Sequence, residues 1–278
     1  MMEKTNELIQ SRVIPESQRS RAQLRNLAEV VLPPAIFLIV LVSFWELSID
    51  FWHISPIILP KPSAVFLRLS QEPGYFVIEN GWVTFSEAVT GFTIGATGAF
   101  ALAAVMARSR AIERSIFPLA VLIKATPIVV IAPLLIIWMG YGTTPKIVLA
   151  ALLCFFPILV NTIIGLRSVS PTSLEFMQSV AASQWEIFSR LRVPHSLPYV
   201  LSAFKTSVTL SVIGAVVAEW AGGGEGLGRV VFQKAAILDQ VGVFASVIVL
   251  ALMGIFLTAV VSWLERRLLY WHESVIAG

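Results

Sequence analysis

The stretch "IVLAALLCFFPILVNTIIGL", residues 147–166, contains no charged side chain. A membrane-spanning helix needs about 20 mainly apolar residues, so this stretch is long enough to cross a bilayer. The chain has 278 residues, of which 56% are hydrophobic and only 13% are charged, whereas about 25% of the residues of a soluble domain are charged. The sequence therefore predicts an all-α integral membrane protein rather than a soluble domain with a large core.

Further apolar runs on both sides of this stretch bring the predicted number of transmembrane helices to about six. They are roughly Val30–Ile49, Thr84–Ala107, Ile116–Met139, Tyr199–Ala218 and Val241–Leu264. The run that begins at Ile116 contains Lys124, Pro127 and Pro133. We expect the prolines to kink this helix. Such a kink is tolerated in a membrane because neighbouring helices can satisfy the backbone groups that proline leaves unpaired.

Lysine and arginine predict the orientation of these helices. Thirteen of them lie in loops or tails on one side of the predicted spans, and five lie on the other. Cytoplasmic loops carry the excess of basic residues. Both termini and the loop that follows residue 166 are therefore expected in the cytoplasm. Residues 1–29 are predicted to form a basic tail without a signal peptide, because they lack an early apolar core and a small-residue cleavage site.

A polar segment follows the first stretch: "TSLEFMQSVAASQWEIFSRLRVPHSLP", Thr172–Pro198. Ser170 followed by proline is typical of a helix start. Two capping boxes are predicted within it, one from Thr172 to Glu175 and one from Ser183 to Glu186. We expect two short helices, about Pro171–Ala181 and Gln184–Arg192, with Pro194 ending the second. Such a pair is either an ordinary hairpin on the membrane surface or a docking surface for a soluble partner.

Polar side chains inside spans are costly and are candidates for function. Lys124 either extends to the interface, pairs with a carboxylate or lines a pathway. Glu219 is either an interfacial carboxylate or part of a gate or a partner contact. Asn161 is expected to bond across helices. Glu46 and Glu87 are interpreted as interfacial carboxylates near the ends of their spans.

Other features limit the chemistry of the chain. The glycine-rich loop Ala221–Arg229 lacks the spacing of a phosphate-binding loop, so we interpret it as a flexible turn, and any use of ATP requires a second chain. Cys154 is the only cysteine and there are three histidines, so no metal site is expected. The net charge of +3 is attributed to cytoplasmic loops rather than to a nucleic-acid partner, and no catalytic residues are expected because no catalytic motif is present. Gly91 and Gly95 have the spacing of closely packed helices.

The polar segment resembles the cytoplasmic EAA loop of bacterial ABC-importer permeases, whose pattern is E-A-A-x-x-x-G, nine residues and then I-x-L-P. Glu175 stands at the first position, Ala181 at the glycine, and "LRVP", Leu191–Pro194, at the end. Phe176, Met177 and Ala181 depart from the pattern, and alanine for glycine suggests either a turn that needs no positive φ or a tighter helix there. The stretches "AASQWEIFSRLRVPHSLPYV" (181–200), "SVIGAVVAEWAGGGEGLG" (211–228) and "ATPIVVIAPLLIIWMGYG" (125–142) also resemble permeases of the nitrate, sulfonate, taurine and pyrimidine or riboflavin group.

The resemblance implies a permease subunit in a bacterial cytoplasmic membrane, with no cofactor of its own. ATP and Mg would bind a cytosolic ATPase dimer, an extracytoplasmic binding protein would deliver the solute, and a second copy would complete the pathway. The main transmembrane domain of the type I importer is expected at residues 81–266, after a first helix and outer loop at 30–80 and before a cytoplasmic tail at 267–278. The residues implied in contact with the ATPase are Glu175, Met177, Ala181, Ser183, Trp185, Phe188 and Pro194.

Within this group the sequence is most similar to permeases for riboflavin or pyrimidine precursors of thiamine, with taurine, alkanesulfonate and nitrate as alternatives. Lys124, Asn161 and Glu219 are the candidates for the substrate path. A secondary transporter or channel is a remote alternative, since no internal repeat and no ring of charges is visible. A membrane enzyme is the least favoured class, because no catalytic motif is present.

Overall fold

The computed structural model describes residues 16–222 and 224–269, and this part of the chain is helical without any strand. It confirms the prediction of an all-α membrane protein. The chain divides into two compact units, residues 1–64 and 65–278. The predicted tails at 1–29 and 267–278 lie in part outside the described residues.

The helices follow one another with short connections. They are α1 Glu16–Phe51, α2 Pro62–Gln71, α3 Trp82–Arg108, α4 Arg110–Ala125, α5 Ile128–Met139, α6 Thr143–Arg167, α7 Pro171–Ser179, α8 Gln184–Glu186, α9 Val193–Gly222, α10 Leu227–Ala236 and α11 Gln240–Leu268. Two π-helical turns, Gly74–Gly81 and Ile187–Arg192, lead into α3 and α9.

Within the described residues, five helical segments are long and apolar enough to cross a membrane. They are Leu32–Phe51, Gly74–Arg108, Thr143–Arg167, Gln184–Gly222 and Gln240–Leu268. Helices α4 and α5 form a sixth candidate, bent by 100°. Thr126 between them is extended, with φ −72° and ψ 127°, because a residue before proline is pushed out of the helical region. The kink predicted near Pro127 is therefore a break between two helices.

The first unit contains α1 and the chain that leads into α2. At the end of α1, Glu46 accepts hydrogen bonds from the amide nitrogen of Ser63 at 3.0 Å and from its hydroxyl at 2.6 Å. Asp50 forms an ion pair with Lys61 at 2.6 Å. Glu46 thus accepts hydrogen bonds from the first turn of α2, a more specific role than the interfacial carboxylate that the sequence suggested.

The second unit is built around α3, α6 and α9. A Cβ atom added to Gly91 would lie 2.5 Å from the Cβ of Ala150, and one added to Gly95 would lie 2.6 Å from the carbonyl oxygen of Ala151. Glycine at these positions lets α3 and α6 approach more closely than any other residue would allow. The close packing predicted from the spacing of these glycines is confirmed.

Candidate coupling segment and buried polar cluster

In the structure the polar segment comprises residues 170–192, because the residues from Val193 onward belong to α9. The segment begins with a capped helix. The Ser170 hydroxyl accepts a hydrogen bond from the amide nitrogen of Ser173 at 3.1 Å, and Pro171 occupies the first helical position. This start is the one predicted from the Ser-Pro pair. The capping box predicted at Thr172 is wrong, because Thr172 lies inside α7 and the cap is already supplied by Ser170.

The turn after α7 is a Schellman motif. The amide nitrogen of Ala182 donates to the Met177 carbonyl at 3.0 Å, and that of Ala181 donates to the Gln178 carbonyl at 2.9 Å. Such a motif places one residue in the left-handed region, and Ala181 has φ 55°. The expectation that alanine here avoids positive φ is therefore wrong. The chain must reverse after α7, and this bond pattern requires a left-handed residue at position 181.

Substitution Ala181→Gly is expected to stabilise this turn by about 1 kcal/mol, because glycine carries no Cβ penalty at positive φ. Slower amide hydrogen exchange across α7 and α8 in detergent micelles would measure the gain. Ala182→Gly is the matched control, because the backbone of Ala182 does not have positive φ. That variant should exchange faster than the wild type. Equal effects of the two substitutions, or faster exchange in Ala181→Gly, would contradict the assignment.

The second predicted capping box is confirmed at the start of α8. The Ser183 hydroxyl accepts from the amide nitrogen of Glu186 at 3.2 Å, and a Glu186 carboxylate oxygen accepts from the amide nitrogen of Ser183 at 2.9 Å. The predicted end of this helix at Pro194 is wrong. The π-helical turn ends at Arg192 and α9 starts at Val193 without a break. Gln184–Gly222 is one continuous helical segment, so Pro194 does not end it.

The polar segment is held to the bundle by one part and exposes another. Ile187 is buried and Phe188 packs against the buried apolar cluster of the bundle. Phe176 and Trp185 are 66% and 70% exposed, and Val180 is exposed as well. Exposed apolar side chains grouped on a rigid element mark interaction surfaces.

Two other residues for which the family resemblance implies contact with an ATPase lie on α7. Glu175 is exposed and forms no ion pair among the described residues, and Met177 is half-buried. Glu175 and Phe176 therefore present a carboxylate and an aromatic ring on the short, capped helix α7, and Val180 follows directly at its end.

A buried polar cluster, made of Thr84, Glu87, Lys146 and Glu219, lies within the second unit. The Lys146 Nζ is 3.0 Å from Glu87 Oε1, and both side chains are almost fully buried. Glu219 accepts from the Thr84 hydroxyl at 2.7 Å and from the amide nitrogen of Gly228 at 2.6 Å. The interpretation of Glu87 as an interfacial carboxylate is wrong, because the packing of α3 against α6 encloses it with a lysine.

The cluster fixes the glycine-rich loop. Lys146 Nζ donates to the Glu225 carbonyl at 2.8 Å, and Thr84 Oγ1 accepts from the amide nitrogen of Leu227 at 2.8 Å. The Asn80 side chain accepts from the amide nitrogen of Gly226 at 3.1 Å. The described residues 224–228 thus form a bound loop rather than the flexible turn expected from their composition.

Gly226→Ala is expected to disrupt this loop. Gly226 has φ 120°, and a Cβ there would lie 2.1 Å from Glu219 Oε1. Gly140→Ala is the matched control, since Gly140 also has positive φ, 81°, but open space around it. Both glycines combine positive φ with an extended ψ, so the control should lose only the roughly 1–3 kcal/mol that this backbone conformation costs other residues. Denaturant titration in micelles should give a larger loss for Gly226→Ala. Equal losses would contradict the contact with Glu219.

The three residues proposed for the substrate path lie in different surroundings. Lys124 is exposed at the end of α4, with Nζ 4.7 Å from the centre of the Phe156 ring. Asn161 donates to the Pro157 carbonyl on its own helix at 2.8 Å. The bond expected across helices is therefore wrong, because the short amide reaches the carbonyl one turn back. Glu219 belongs to the buried polar cluster.

The cavity beside Lys124 is mostly apolar. It has a volume of about 610 Å³ and lies where α4, α5 and α6 meet, and its wall includes Phe155, Phe156 and Thr126. Lys124 is its only charged side chain among the described residues, and neither Asn161 nor Glu219 lines it.

Sequence reasoning missed Glu87, Lys146 and Thr84 as members of one cluster. The available signal was that Glu87, Lys146 and Glu219 all lie near the ends of predicted spans on the same side of the membrane. Buried ionisable groups in membrane proteins pair with one another, so these three were candidates for mutual contact.

The described residues form a bundle of apolar helices of membrane-spanning length, with one capped helical hairpin between two of them. Residues 91–270 match the family described as the binding-protein-dependent transport system inner membrane component. The chain belongs to this family and is a permease of an ABC importer.

Relatives and solved structures agree with this assignment. The formylaminopyrimidine transport permease protein ThiX of Halalkalibacterium halodurans is 33% identical over 243 residues, which cover 87% of this chain and 97% of that protein. The riboflavin transport system permease protein RibX of Chloroflexus aurantiacus is 31% identical over 240 residues, covering 86% and 90%. The inward-facing MetNI methionine ABC transporter matches with a TM-score of 0.63 at 14% identity, covering 71% of this chain and 98% of that one, which supports the fold alone.

Proposed function

We propose that this permease imports riboflavin or a pyrimidine precursor of thiamine. The observation that carries the proposal is its similarity to two permeases named for such heterocycles, along nearly their whole lengths. The cavity beside Lys124 supports it, because an aromatic ring and a cation border one apolar space. A heterocycle could stack on Phe156 while Lys124 donates to its ring nitrogens or carbonyl oxygens.

The machine proposed around this chain has separate parts. A cytosolic ATPase dimer binds ATP and Mg, so this chain needs no cofactor and catalyses no reaction. An extracytoplasmic binding protein delivers the solute, and a second copy of this chain completes the pathway as a homodimer. The membrane is the bacterial cytoplasmic membrane, and the excess of basic residues supports an orientation with both termini inside.

The polar segment is proposed to couple the ATPase to the pathway. Its exposed Phe176 and Val180 are suited to an apolar groove on the ATPase. Trp185 lies in a cleft against the end of α3, and with Ile187 and Phe188 it anchors the segment to the bundle, so that movement is transmitted. Closure of the ATPase dimer would then displace the segment and rock the bundle between two states. Ala181 and Ser183 set the shape of the segment rather than its contacts, and Pro194 lies in the first turn of α9, directly after the segment.

Uptake of labelled solutes into vesicles tests the substrate. The full chain is reconstituted with its partner ATPase and binding protein, and riboflavin, hydroxymethylpyrimidine, taurine and nitrate are offered separately. We expect ATP-dependent uptake of one of the two heterocycles. Uptake of taurine or nitrate alone would overturn the proposed substrate while leaving the permease assignment intact.

A further inference from the structure

Two adjoining clefts lie where α3 ends beside the polar segment. One cleft, of about 500 Å³, is lined by the last turns of α3 and by Trp185 and Phe188. The other, of about 360 Å³, is lined by the start of α4 and the end of α6. Arg108 and Arg192 line both clefts. The two clefts therefore adjoin at these arginines, and one is mainly apolar while the other is basic.

The basic cleft carries positive charge without a matching carboxylate. Arg108, Arg110 and Arg192 line the smaller cleft and form no ion pair within the part of the chain that the structure describes. A fourth arginine there, Arg167, is already paired with Glu113 and bonds to the Met106 carbonyl. Neither cleft has an acidic side chain among its described lining residues. Three guanidinium groups around one cleft favour an anion with several oxygen atoms.

The apolar cleft lies against the surface of a membrane-spanning helix. Ala104 and Val105 line it, Val105 is 49% exposed, and both belong to the apolar segment that ends at Arg108. At 1.5 Å per residue, Arg108 lies about 5 Å further along the helix axis than Val105. Lipid chains that cover Val105 therefore bring their headgroups to the level of the arginines. Trp185 in the same cleft is typical of this interfacial depth.

We infer that these clefts form a site for one anionic phospholipid, with its phosphate held by Arg108, Arg110 and Arg192 and an acyl chain lying against Val105 and Trp185. The bound lipid joins the end of α3 to the start of α8, and so braces the polar segment at its junction with the bundle. The position of the segment then depends on the anionic lipid content of the membrane. This inference does not depend on the imported solute.

Fluorescence quenching by lipids with brominated chains tests the site. The full chain is reconstituted in phosphatidylcholine vesicles that contain either brominated phosphatidylglycerol or brominated phosphatidylcholine. The fluorescence of Trp185 is obtained by subtracting the fluorescence of the Trp185→Phe variant from that of the wild type. We expect phosphatidylglycerol to bind beside Trp185 at least tenfold more tightly, since each interfacial arginine contributes about fivefold.

Variants of single arginines distinguish a specific lipid site from general electrostatic attraction of anionic lipids to the basic surface. Arg108→Gln, Arg110→Gln and Arg192→Gln should each lower the preference about fivefold. Arg192→Lys, which keeps the charge of this half-buried residue, should retain most of it. Arg114→Gln is the matched control, because Arg114 is exposed on α4 but lines neither cleft. It should leave the preference unchanged.

Four outcomes would overturn the inference. The first is equal quenching by the two lipids in the wild type, and the second is a loss of lipid preference in Arg114→Gln as large as in the three cleft variants. The third is loss of the preference in millimolar inorganic phosphate, and the fourth is its loss when the purified ATPase is added. The third would assign the clefts to a free anion, and the fourth would assign them to the protein partner.

Discussion

Replacing Lys146 with methionine is expected to lower the free energy of unfolding by about 3–5 kcal/mol, the usual cost of removing one partner of a buried ion pair. Lys146 lies 3.0 Å from Glu87 and also donates to the Glu225 carbonyl. The substitution therefore leaves a buried carboxylate without its cation and releases one bond to the loop at 224–228. Denaturant titration of the purified permease in mixed micelles measures the loss.

A double variant separates the lost pairing from a simple packing defect. Glu87→Leu combined with Lys146→Met replaces both charges by apolar groups, an exchange that is often close to neutral in buried pairs. The double variant should therefore recover most of the stability that either single substitution loses. Lys61→Met is the control, because the Lys61–Asp50 pair is solvent-exposed and such pairs contribute little. A double variant as unstable as the sum of the singles would contradict the buried pairing.

Phe176→Ala is expected to weaken ATPase binding by about 2 kcal/mol, or roughly thirtyfold, because aromatic anchors contribute most to interfaces of this kind. Phe176 is 66% exposed on α7, so its removal should leave the stability of the isolated permease almost unchanged. Affinity is measured by titrating the purified ATPase onto the permease in nanodiscs. The outcome of interest is lost binding together with an unchanged unfolding transition.

Phe66→Ala provides the matched control for this experiment. Phe66 is 58% exposed on α2 and lies outside the polar segment. The Phe66→Ala permease should bind the ATPase with wild-type affinity. Comparable losses in the two variants would mean that binding reflects general surface hydrophobicity, and unchanged binding in Phe176→Ala would remove α7 from the proposed interface.

Local patterns predicted the parts of the structure that depend on few residues. The uncharged run 147–166 lies wholly within α6, Thr143–Arg167, because crossing a bilayer requires a long apolar helix whatever its neighbours are. The capping box at Ser183 was equally predictable, since both of its hydrogen bonds join residues three apart.

Features that depend on tertiary packing were not predictable from local patterns. Glu87 and Lys146 are distant in sequence and meet only because Gly91 and Gly95 let α3 approach α6 closely. Glycines 226 and 228 suggested flexibility, but the Glu219 carboxylate fills the space that their missing side chains leave. The left-handed backbone of Ala181 likewise follows from the reversal between two helices rather than from its own preference.

Simultaneous measurement of uptake and ATP hydrolysis tests the central claim, that this chain is a pathway driven through residues 170–192 by an ATPase. Vesicles contain the permease and ATPase, with the binding protein and labelled heterocycle on the outside. We predict uptake only when ATP, ATPase and binding protein are all present, with Phe176→Ala reducing uptake in proportion to the ATPase it fails to bind. Uptake driven by a proton or sodium gradient without ATP would contradict the account and indicate a secondary transporter.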